Sequence, residues 1–438
     1  MKCAVVISIA PDHLAEFADC RASIERAWAH GAGPFTGLDI LPIEDAGGVM
    51  TPAARRNRGV DLAHEKGCEW IFFLDARDLL NLSAFADFAA FHDAFDAVWG
   101  NICVNKLGTK DVVVCEGQIT KTASIEDILR SAPDLTLRMG HFVRTGAARA
   151  VRFDAEMEAG ADYKYYLDLW EKFRCAKVAH IFSIERRAGV DPFAVGTLAW
   201  FQAVDPIIAD HCKGRDLYCE VAFDDKVTRF ALTNPMDIIQ KHHVYGRFFE
   251  IDELQTLKDV VGTDKTIVEV GANIGNHLAF YAQHMKSKKI FPFEPNPDSI
   301  DLLNRNIKAN GLESVVDTRG IGIGAGAQHG QFSVVLPIEN NLGAARLSAD
   351  EAGQLEVFPL DERLDGEAVD FIKIDVEGME FEVLEGAAKL IERNRPILMV
   401  EVFRNKIPAF ERWCAENRYN IRTRFSCVNA VNFLVVAA

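Results

Sequence analysis

Short apolar runs alternate with helical stretches over roughly the first 190 residues. The runs cover residues 4–10, 37–43 and 70–74, and mixed polar stretches separate them. Apolar runs of this length that are bounded by polar segments are typical of buried strands. The pattern therefore predicts an α/β unit with a parallel sheet in the first part of the chain.

A second series of the same kind begins near Ile267 and continues to the end of the sequence. Because its runs also alternate with helical stretches, it predicts a second α/β unit. The runs after Ile267 lie at residues 289–294, 371–375, 396–402, 421–427 and 432–437.

The stretch between the two series, residues 188–250, has mixed helical and extended signals. It carries several residues that interrupt regular structure, among them Pro206 and Gly214. We expect two domains, residues 1–200 and residues 201–438.

Composition and charge narrow the function classes. The 438 residues carry a formal net charge of -16, which repels polyphosphate and argues against a general nucleic-acid binder. The ten cysteines form no CxxC pair and no zinc-ligand spacing, so we expect reduced core thiols. Without a convincing signal peptide or a long apolar run, we expect a soluble cytoplasmic protein, with peripheral membrane contact left open.

The second series opens with a strand, a turn of small residues and a helix from about Leu278. At such a turn the missing Cβ of Gly271 lets the backbone approach a ligand. The dinucleotide fingerprint has a glycine where this chain has Asn273, which departs from the usual pattern. Glu294 ends the next strand, where a carboxylate can accept hydrogen bonds from a ribose diol.

Further acids come at the ends of the later predicted strands. Asp375 and Glu377 follow one apolar run, and Glu401 belongs to another. The carboxyl ends of parallel strands meet at one edge of a sheet, so we expect these acids beside the same crevice.

These pieces resemble the FkbM family of S-adenosylmethionine-dependent methyltransferases over roughly residues 230–438, and the most specific motif is residues 373–378. The resemblance implies a class I, Rossmann-like methyltransferase fold with a seven-stranded sheet and an antiparallel hairpin at its edge. It implies that Glu294 holds the ribose hydroxyls and that Asn296 lies near the adenine. It also implies S-adenosylmethionine as cofactor, with these residues around its methionine part: Glu269, Gly271, Asn273, Gly275 and Asn276.

The resemblance also implies methylation of hydroxyl groups, often on sugars. Methyl transfer from a sulfonium depends on positioning, and a base helps when the acceptor is a weakly acidic hydroxyl. We assign Asp375 to stabilising the sulfonium charge and Glu377 to taking the acceptor proton. A divalent cation held by Asp375, Glu377 and Glu401 is the alternative. We expect structural or solvated roles for His242, His243 and His277.

The first 190 residues resemble the nucleotide-binding half of family-two glycosyltransferases with the GT-A fold. The match is carried by the helix start at residues 52–59 and by the strand that ends in acids at residues 68–78. The resemblance implies a divalent metal, Mg²⁺ or Mn²⁺, at Asp75 and Asp78. It implies a nucleotide-sugar site at Asp45, Arg55, Asp75 and Arg77.

The first half also departs from that family. Arg77 stands where the usual D-x-D pattern has an acid, and Ala161 replaces the first acid of the segment that carries the catalytic base. Asp162 is then the candidate base. Either the domain transfers a sugar, with arginine neutralising phosphate charge, or it is a degenerate fold that binds an acceptor.

The sequence therefore predicts an α/β protein with two domains, a GT-A-like fold followed by a methyltransferase fold. We expect methylation of a sugar, glycan or glycolipid hydroxyl in bacterial surface-glycan assembly, with glycosyl transfer as a second activity. The alternatives are a non-catalytic scaffold and a nicotinamide oxidoreductase, and Asn273 opposes the latter.

Overall fold

The computed structural model describes residues 1–45, 49–106, 109, 111–187, 198–335, 346–349 and 353–438. It divides into two compact units. The first consists of Met1–Arg215 with Thr233–Pro235, and the second consists of Asp216–Leu232 with Met236–Ala438. The helix that begins at Leu198 crosses the sequence-based boundary near residue 200 and packs in the first unit.

The first unit contains ten strands and seven α-helices in the part of the chain that the structure describes. In chain order these are β1 Lys2–Ile9, α1 Phe17–His30, β2 Gly37–Glu44, α2 Pro52–Glu65, β3 Trp70–Asp75, β4 Leu79–Leu80, α3 Ala84–Phe88, β5 Ala97–Trp99, β6 Cys103–Lys106, β7 Val112–Val114, α4 Ile125–Leu129, β8 His141–Arg144, α5 Thr145–Ala150, α6 Ala161–Lys172, β9 Cys175–Lys177, β10 Ser183–Arg187 and α7 Leu198–Cys212.

The main sheet of the first unit has the order β2-β1-β3-β8-β5-β9. β1 is parallel to β2 and β3, as the apolar runs predicted, and its residues are buried almost throughout. The prediction of a wholly parallel sheet is wrong, because β8 runs antiparallel to both β3 and β5. An apolar run marks a strand but not its direction, which depends on the connection that leads into it.

A stack of aromatic rings fills the core beside this sheet. Phe142 of β8 lies 4.0 Å from Phe88 and 4.6 Å from Phe72 between ring centroids, and all three side chains are fully buried. Ring pairs at these separations add to the stability that area burial provides. β8 is therefore fixed in the sheet by its inward-facing side chain. A smaller sheet has the order β4-β10-β6-β7.

The second unit has twelve strands and eight α-helices among its described residues. In chain order these are β11 Leu217–Phe223, β12 Lys226–Leu232, α8 Ile238–Val244, α9 Ile251–Val261, β13 Thr266–Val270, α10 Asn276–His284, β14 Lys289–Phe293, α11 Pro297–Ala309, β15 Ile323–Ala325, β16 Gly330–Val335, β17 Arg346–Ala349, β18 Leu355–Phe358, α12 Leu360–Arg363, β19 Phe371–Ile374, α13 Glu380–Gly386, α14 Ala388–Asn394, β20 Ile397–Phe403, α15 Ile407–Glu416, β21 Tyr419–Ser426 and β22 Ala430–Ala437.

The main sheet of the second unit has the order β14-β13-β19-β20-β22-β21. Its first four strands are parallel, and the hairpin of β21 and β22 is antiparallel, as predicted. The described residues give six strands rather than the seven that the resemblance implies. At the β14 edge, isolated parallel bridges join Ile290 to Val316 and Glu294 to Ile321 instead.

The α/β fold class with two units is confirmed. β13, β14 and β19 end at one edge of the second sheet, so the residues that follow them lie close together. A separate sheet has the order β15-β18-β16-β17, and β11 pairs with β12. Among the described residues, we find no helix with the length and apolar character needed to cross a membrane.

Candidate active site

A cavity of about 220 Å³ opens at the carboxyl edge of the second unit's main sheet. The turns after three parallel strands contribute to its wall, and the segment around α8 covers part of it. The residues that line it are Ile238, Ile239, Phe249, Glu250, Val270, Gly271, Ala272, Asn273, Asn276, His277, Phe293, Glu294, Pro295, Asn296, Gly324, Ala325, Lys373, Asp375, Val376, Glu377, Met379 and Glu401.

The turn after β13 brings the backbone close to the neighbouring strand. Gly271 has φ +84°, and a Cβ there would lie 1.8 Å from the carbonyl oxygen of Asp375. No residue other than glycine fits this position without moving backbone. Asn273 has φ +48°, in the left-handed region, where asparagine is tolerated better than most residues. The turn therefore packs its backbone directly against the end of the neighbouring strand at Asp375.

Glu294 closes one side of this turn. Its carboxylate accepts hydrogen bonds from the backbone N–H groups of Asn273, at 2.7 Å, and Asn296, at 2.8 Å. Burial raises the pKa of Glu294 to about 7, although both hydrogen bonds oppose that rise. Asn296 in turn begins α11, since its side chain accepts a hydrogen bond from the N–H of Asp298. The predicted pair Glu294 and Asn296 is thus brought together with the glycine turn.

A buried ion pair lies on β19 and just after it. Lys373 is 2% exposed, and its Nζ lies 2.7 Å from Oδ2 of Asp375. Burial lowers the pKa of Lys373, but Asp375 and the nearby Glu250 and Glu269 outweigh this effect and raise it. Burial raises the pKa of Asp375, and Lys373 more than reverses that shift. Asp375 is therefore held as an anion at the cavity wall.

Glu401 stands next to this ion pair. It lies within β20, opposite Asn432 of β22, and not at the strand's end as predicted. The Asp375 carboxylate, aided by burial and a hydrogen bond between the two side chains, raises the pKa of Glu401 to about 10. Glu401 is therefore the more readily protonated of the two carboxyl groups.

Glu377 completes a group of three carboxylates. One oxygen each from Asp375, Glu377 and Glu401 lies within 4.8 Å of the others. Glu377 has φ +51° and lines the cavity. The structure thus brings together the three residues of the alternative cation site, but Lys373 already balances the charge of Asp375.

Two residues that were assigned to the cofactor, Glu269 and Gly275, are not among the described residues that line the cavity. Glu269 is fully buried. Its Oε1 lies 3.7 Å from Nδ1 of His277, whose Nε2 lies 3.0 Å from Oε2 of Glu250. Burial raises the pKa of Glu269 to about 8. A Cβ at Gly275 would lie 2.7 Å from Leu303 Cδ1.

Asn276 lines the cavity, but its side-chain amide is engaged elsewhere. Nδ2 donates to the carbonyl of Phe249 at 3.0 Å, and Oδ1 accepts from the N–H of Phe249 at 3.1 Å. Oδ1 also lies 2.9 Å from Nε2 of His243. Asn276 therefore fixes the segment that carries Phe249 and Glu250 at the cavity rim.

Sequence reasoning missed the roles of Lys373 and Glu250. Lys373 interrupts an otherwise apolar strand, and a charged residue at a buried strand position signals a buried partner. That signal was available in the sequence. Glu250 comes before β13 in the chain, and its approach to His277 depends on the fold. No local pattern indicates it.

The first unit also gathers charged residues at the ends of parallel strands, but these residues are paired with one another. Arg56 Nη2 lies 3.0 Å from Oδ1 of Asp75. Arg55 donates to Ser8 Oγ at 3.0 Å and to the carbonyl of Met50 at 2.7 Å, and it lies 4.0 Å from Asp45. The structure therefore brings Asp45, Arg55 and Asp75 to one edge, together with Arg56, which the sequence analysis did not single out.

Asp78 has a different environment from Asp75. It is buried, accepts a hydrogen bond from the N–H of Arg186 at 3.0 Å, and lies 4.0 Å from the half-exposed Arg77. Burial, followed by the charge of Asp75, raises the pKa of Asp78 well above its ordinary value. Its present contacts tie it to β10. Asp162 accepts hydrogen bonds from the N–H of Tyr163 and from Trp200 Nε1 at 2.9 and 3.3 Å.

Part of the second unit is similar to known proteins. Residues 269–421 match the family model of the methyltransferase FkbM domain, which confirms the predicted resemblance there. A hexuronic acid methyltransferase, AglP of Haloferax volcanii, is 30% identical over 148 residues, covering 33% of this chain and 58% of AglP. The chain thus spans less than two thirds of this relative.

Two solved structures are similar at low identity. One is a methyltransferase FkbM from Methylobacillus flagellatus KT, with 18% identity, a TM-score of 0.30, and coverage of 57% of this chain and 67% of that one. The other is S. aureus TarS in complex with UDP-GlcNAc, with 14% identity, a TM-score of 0.36, and coverage of 50% and 68%.

Proposed function

We propose that the second unit binds S-adenosylmethionine and transfers its methyl group to a hydroxyl of a sugar, glycan or glycolipid. The observation that carries this proposal is the cavity at the carboxyl edge of the sheet, which combines the Gly271 turn with Glu294 just after β14 and Asp375 just after β19. These three elements suit the amino-acid, ribose and sulfonium portions of this cofactor, respectively. The match of residues 269–421 to the FkbM domain supports the same proposal.

The charge of the cavity wall suits a cation. Five carboxyl groups line it among the described residues, and a single buried ammonium group, that of Lys373, stands against them. The five belong to Glu250, Glu294, Asp375, Glu377 and Glu401. A positively charged ligand would relieve the mutual repulsion of these acids, whereas a second anion would add to it. The excess of carboxyl groups over ammonium groups favours a sulfonium over a phosphate-rich dinucleotide. It therefore argues against the nicotinamide alternative.

The residues of the site have distinct tasks in the proposal. Backbone at Gly271 and Asn273 contacts the methionine portion, Glu294 accepts from the ribose hydroxyls, and Asn296 lies beside the adenine. When bound, the cofactor supplies a methyl group on a positively charged sulfur, whose transfer to the acceptor oxygen leaves the neutral thioether and releases the hydroxyl proton. Glu269, beneath the turn, contributes through His277 instead of by direct contact.

Asp375 and Glu377 divide the catalytic work. Lys373 keeps Asp375 ionised, so that its carboxylate faces the sulfonium throughout the pH range near neutrality. Glu377, which also lines the cavity, takes the hydroxyl proton. Glu401 carries the proton that it shares with Asp375 and donates a hydrogen bond to it. A divalent cation at the three carboxylates is the competing arrangement, and added chelator distinguishes the two.

The sugar acceptor is proposed from the relative AglP, whose name specifies a hexuronic acid. We place the reaction in the cytoplasm, in surface-glycan assembly. For the first unit we propose nucleotide-sugar binding at Asp45, Arg55, Asp75 and Arg77, with Asp162 as base if sugar is transferred. The gathering of Arg55, Arg56 and Asp75 at one strand edge supports this, since arginine pairs well with phosphate.

Calorimetry with S-adenosylhomocysteine tests the main proposal. The full chain should bind one equivalent, and Gly271→Trp and Glu294→Ala should each abolish or strongly weaken binding. The proposal fails if the full chain does not bind, or if both variants bind as the parent does. A thermal-shift panel of UDP, GDP, CDP and TDP, each with Mn²⁺ or with chelator, tests the first unit, because a ligand at a hundred times its dissociation constant adds about 2.7 kcal/mol of stability.

A further inference from the structure

A second cavity lies beside the first one in the second unit. Its volume is about 460 Å³, within the range of about 300 to 1,000 Å³ that is common for ligand pockets. Met379 lines both cavities, Ala325 lines the first and Gly326 the second. The two cavities therefore meet at the end of β15 and the start of α13. The residues that line the second are 326–332, Val357, Met379 and Glu382.

The floor of the second cavity is held by close backbone packing. The N–H of Gly326 donates to the carbonyl of Phe358 at 3.1 Å, and Val357 beside it is fully buried. Helix α13 packs directly on this backbone, because a Cβ at Gly386 would lie 1.9 Å from the carbonyl oxygen of Gly326. Such contact leaves the floor little freedom to collapse, so the cavity is a built feature of this unit.

The side chains around it combine aromatic faces with amide groups. Phe332 is half-buried, and the ring of His329 stacks on Phe358 with centroids 4.2 Å apart and planes inclined by 13°. Gln328 and Gln331 are exposed and offer both donors and acceptors. A pyranose has the matching chemistry, because its C–H face packs on an aromatic ring and its hydroxyls exchange hydrogen bonds with amides.

The ionisable groups around the cavity disfavour an acidic sugar. Glu382 is exposed on α13 and lines the cavity, and His329 is paired with Glu356 at 3.5 Å. A carboxylate on the sugar would meet Glu382 without a free cation among the described lining residues to balance it. Repulsion of this kind is a common source of specificity.

We propose that this second cavity is the acceptor subsite and that it takes an uncharged pyranose. The proposal rests on the methyl-transfer function given above. The sugar packs on Phe332, exchanges hydrogen bonds with Gln328 and Gln331, and reaches the donor cavity past Met379. The proposed neutral sugar differs from the hexuronic acid that the name of AglP specifies. We attribute this difference in specificity to Glu382.

Saturation-transfer NMR on the full chain, with saturating S-adenosylhomocysteine, tests the proposal. The probes are methyl β-D-glucopyranoside, methyl α-D-mannopyranoside and methyl β-D-glucuronide. At least one neutral glycoside should show transfer to its ring protons that Phe332→Ala removes. Phe425→Ala, which alters another half-buried phenylalanine on a strand of this unit, should leave the transfer intact. The glucuronide should show weaker transfer, and Glu382→Gln should increase it while Glu385→Gln on the same helix should not.

The outcomes distinguish a failure of the acceptor subsite from a failure of the methyl-transfer function. Loss of S-adenosylhomocysteine binding by the parent would overturn the methyl-transfer function itself. Two results would overturn the subsite alone, provided that S-adenosylhomocysteine still binds. One is the absence of transfer to either neutral glycoside. The other is an equal reduction of transfer in the Phe332 and Phe425 variants. Stronger transfer to the glucuronide than to both neutral sugars would overturn the specificity.

Discussion

Both units place acids at the carboxyl ends of parallel strands, but the charge balance differs between them. In the first unit Asp75 faces Arg56 and Asp45 faces Arg55, so each acid has its own arginine. In the second unit Lys373 is the only buried cation among the described residues that line the cavity, and it faces several carboxyl groups. Acids at strand ends therefore do not by themselves identify a ligand. The groups that balance them decide whether the site favours an anion, a metal or an organic cation.

Removing the buried ammonium group of Lys373 should have the largest effect on stability. Lys373→Met leaves Asp375 and Glu269 without their buried partner, and breaking a buried ion pair in this way costs about 3 to 5 kcal/mol. Urea denaturation, followed through the unfolding transition of the second unit, measures this loss of stability. The exposed Lys389→Met should change stability by less than about 0.5 kcal/mol. A loss below about 1 kcal/mol for Lys373→Met would mean that the lysine does not balance the acid cluster.

The backbone approach at the Gly271 turn should have the next largest effect. Gly271→Ala places a Cβ against the Asp375 carbonyl, and overpacking of this kind costs about 1 to 3 kcal/mol. Gly322→Ala is the matched control, because Gly322 also has positive φ, +92°, but has open space where its Cβ would lie. We expect Gly271→Ala alone to weaken S-adenosylhomocysteine binding, measured by calorimetry. Equal affinity in the two variants would contradict a close backbone contact with the ligand.

Breaking the ion pair between Arg56 and Asp75 in the first unit should cost less stability. Arg56→Met leaves Asp75 unpaired, but the Asp75 side chain is 26% exposed, so water replaces part of the lost interaction. We expect a loss of about 1 to 2 kcal/mol, with Arg58→Met, at an exposed position on the same helix, as control. The freed carboxylate should also bind Mn²⁺ more tightly, which calorimetry with Mn²⁺ alone measures. Unchanged Mn²⁺ affinity would show that Arg56 does not keep a cation away from Asp75.

The smallest effect, over a single pH unit, is a dependence of stability on pH. Burial raises the pKa of Glu269 from 4.5 to about 8, so the folded chain keeps a proton that the unfolded chain has lost. Stability from this group is therefore full below about pH 4.5 and declines as pH rises toward 8. Glu269→Gln should reduce the slope between pH 6 and 7 by about 1 kcal/mol per pH unit. An unchanged slope would mean that Glu269 is ionised in the folded protein.

The fold and the site differ in how much the sequence predicted. Apolar runs located β1, β2 and β3 of the first main sheet and all six described strands of the second, because buried strands leave continuous apolar runs. The short strands β5, β8 and β9 of the first sheet were not predicted. The direction of β8 was not predictable, since it depends on the path of the preceding chain. Gly271, Asn273, Glu294, Asn296, Asp375 and Glu377 were all predicted and all line one cavity, because strand ends in a parallel sheet share an edge.

The remaining features of the site depend on contacts between distant segments. Asn276 was predicted to bind the cofactor, but its amide is engaged by Phe249 and His243, which lie about 30 residues earlier in the chain. Asp78 was predicted to bind metal, yet it is tied to Arg186, more than 100 residues later. Residue type and strand position indicate that a side chain reaches the edge of a sheet. They do not indicate which neighbour engages it there.

The ratio of S-adenosylmethionine to S-adenosylhomocysteine affinity, measured by calorimetry at pH 6 and pH 8, tests whether the acidic cavity favours a cationic ligand. The two ligands share their amino-acid and nucleoside portions, so the ratio isolates the charge on sulfur. Glu294 and Glu269, with pKa values of about 7 and 8, ionise over this interval and add negative charge around the cavity. We expect both ligands to bind and the ratio to rise with pH. A ratio that stays constant or falls, or the absence of binding by either ligand, would contradict this expectation.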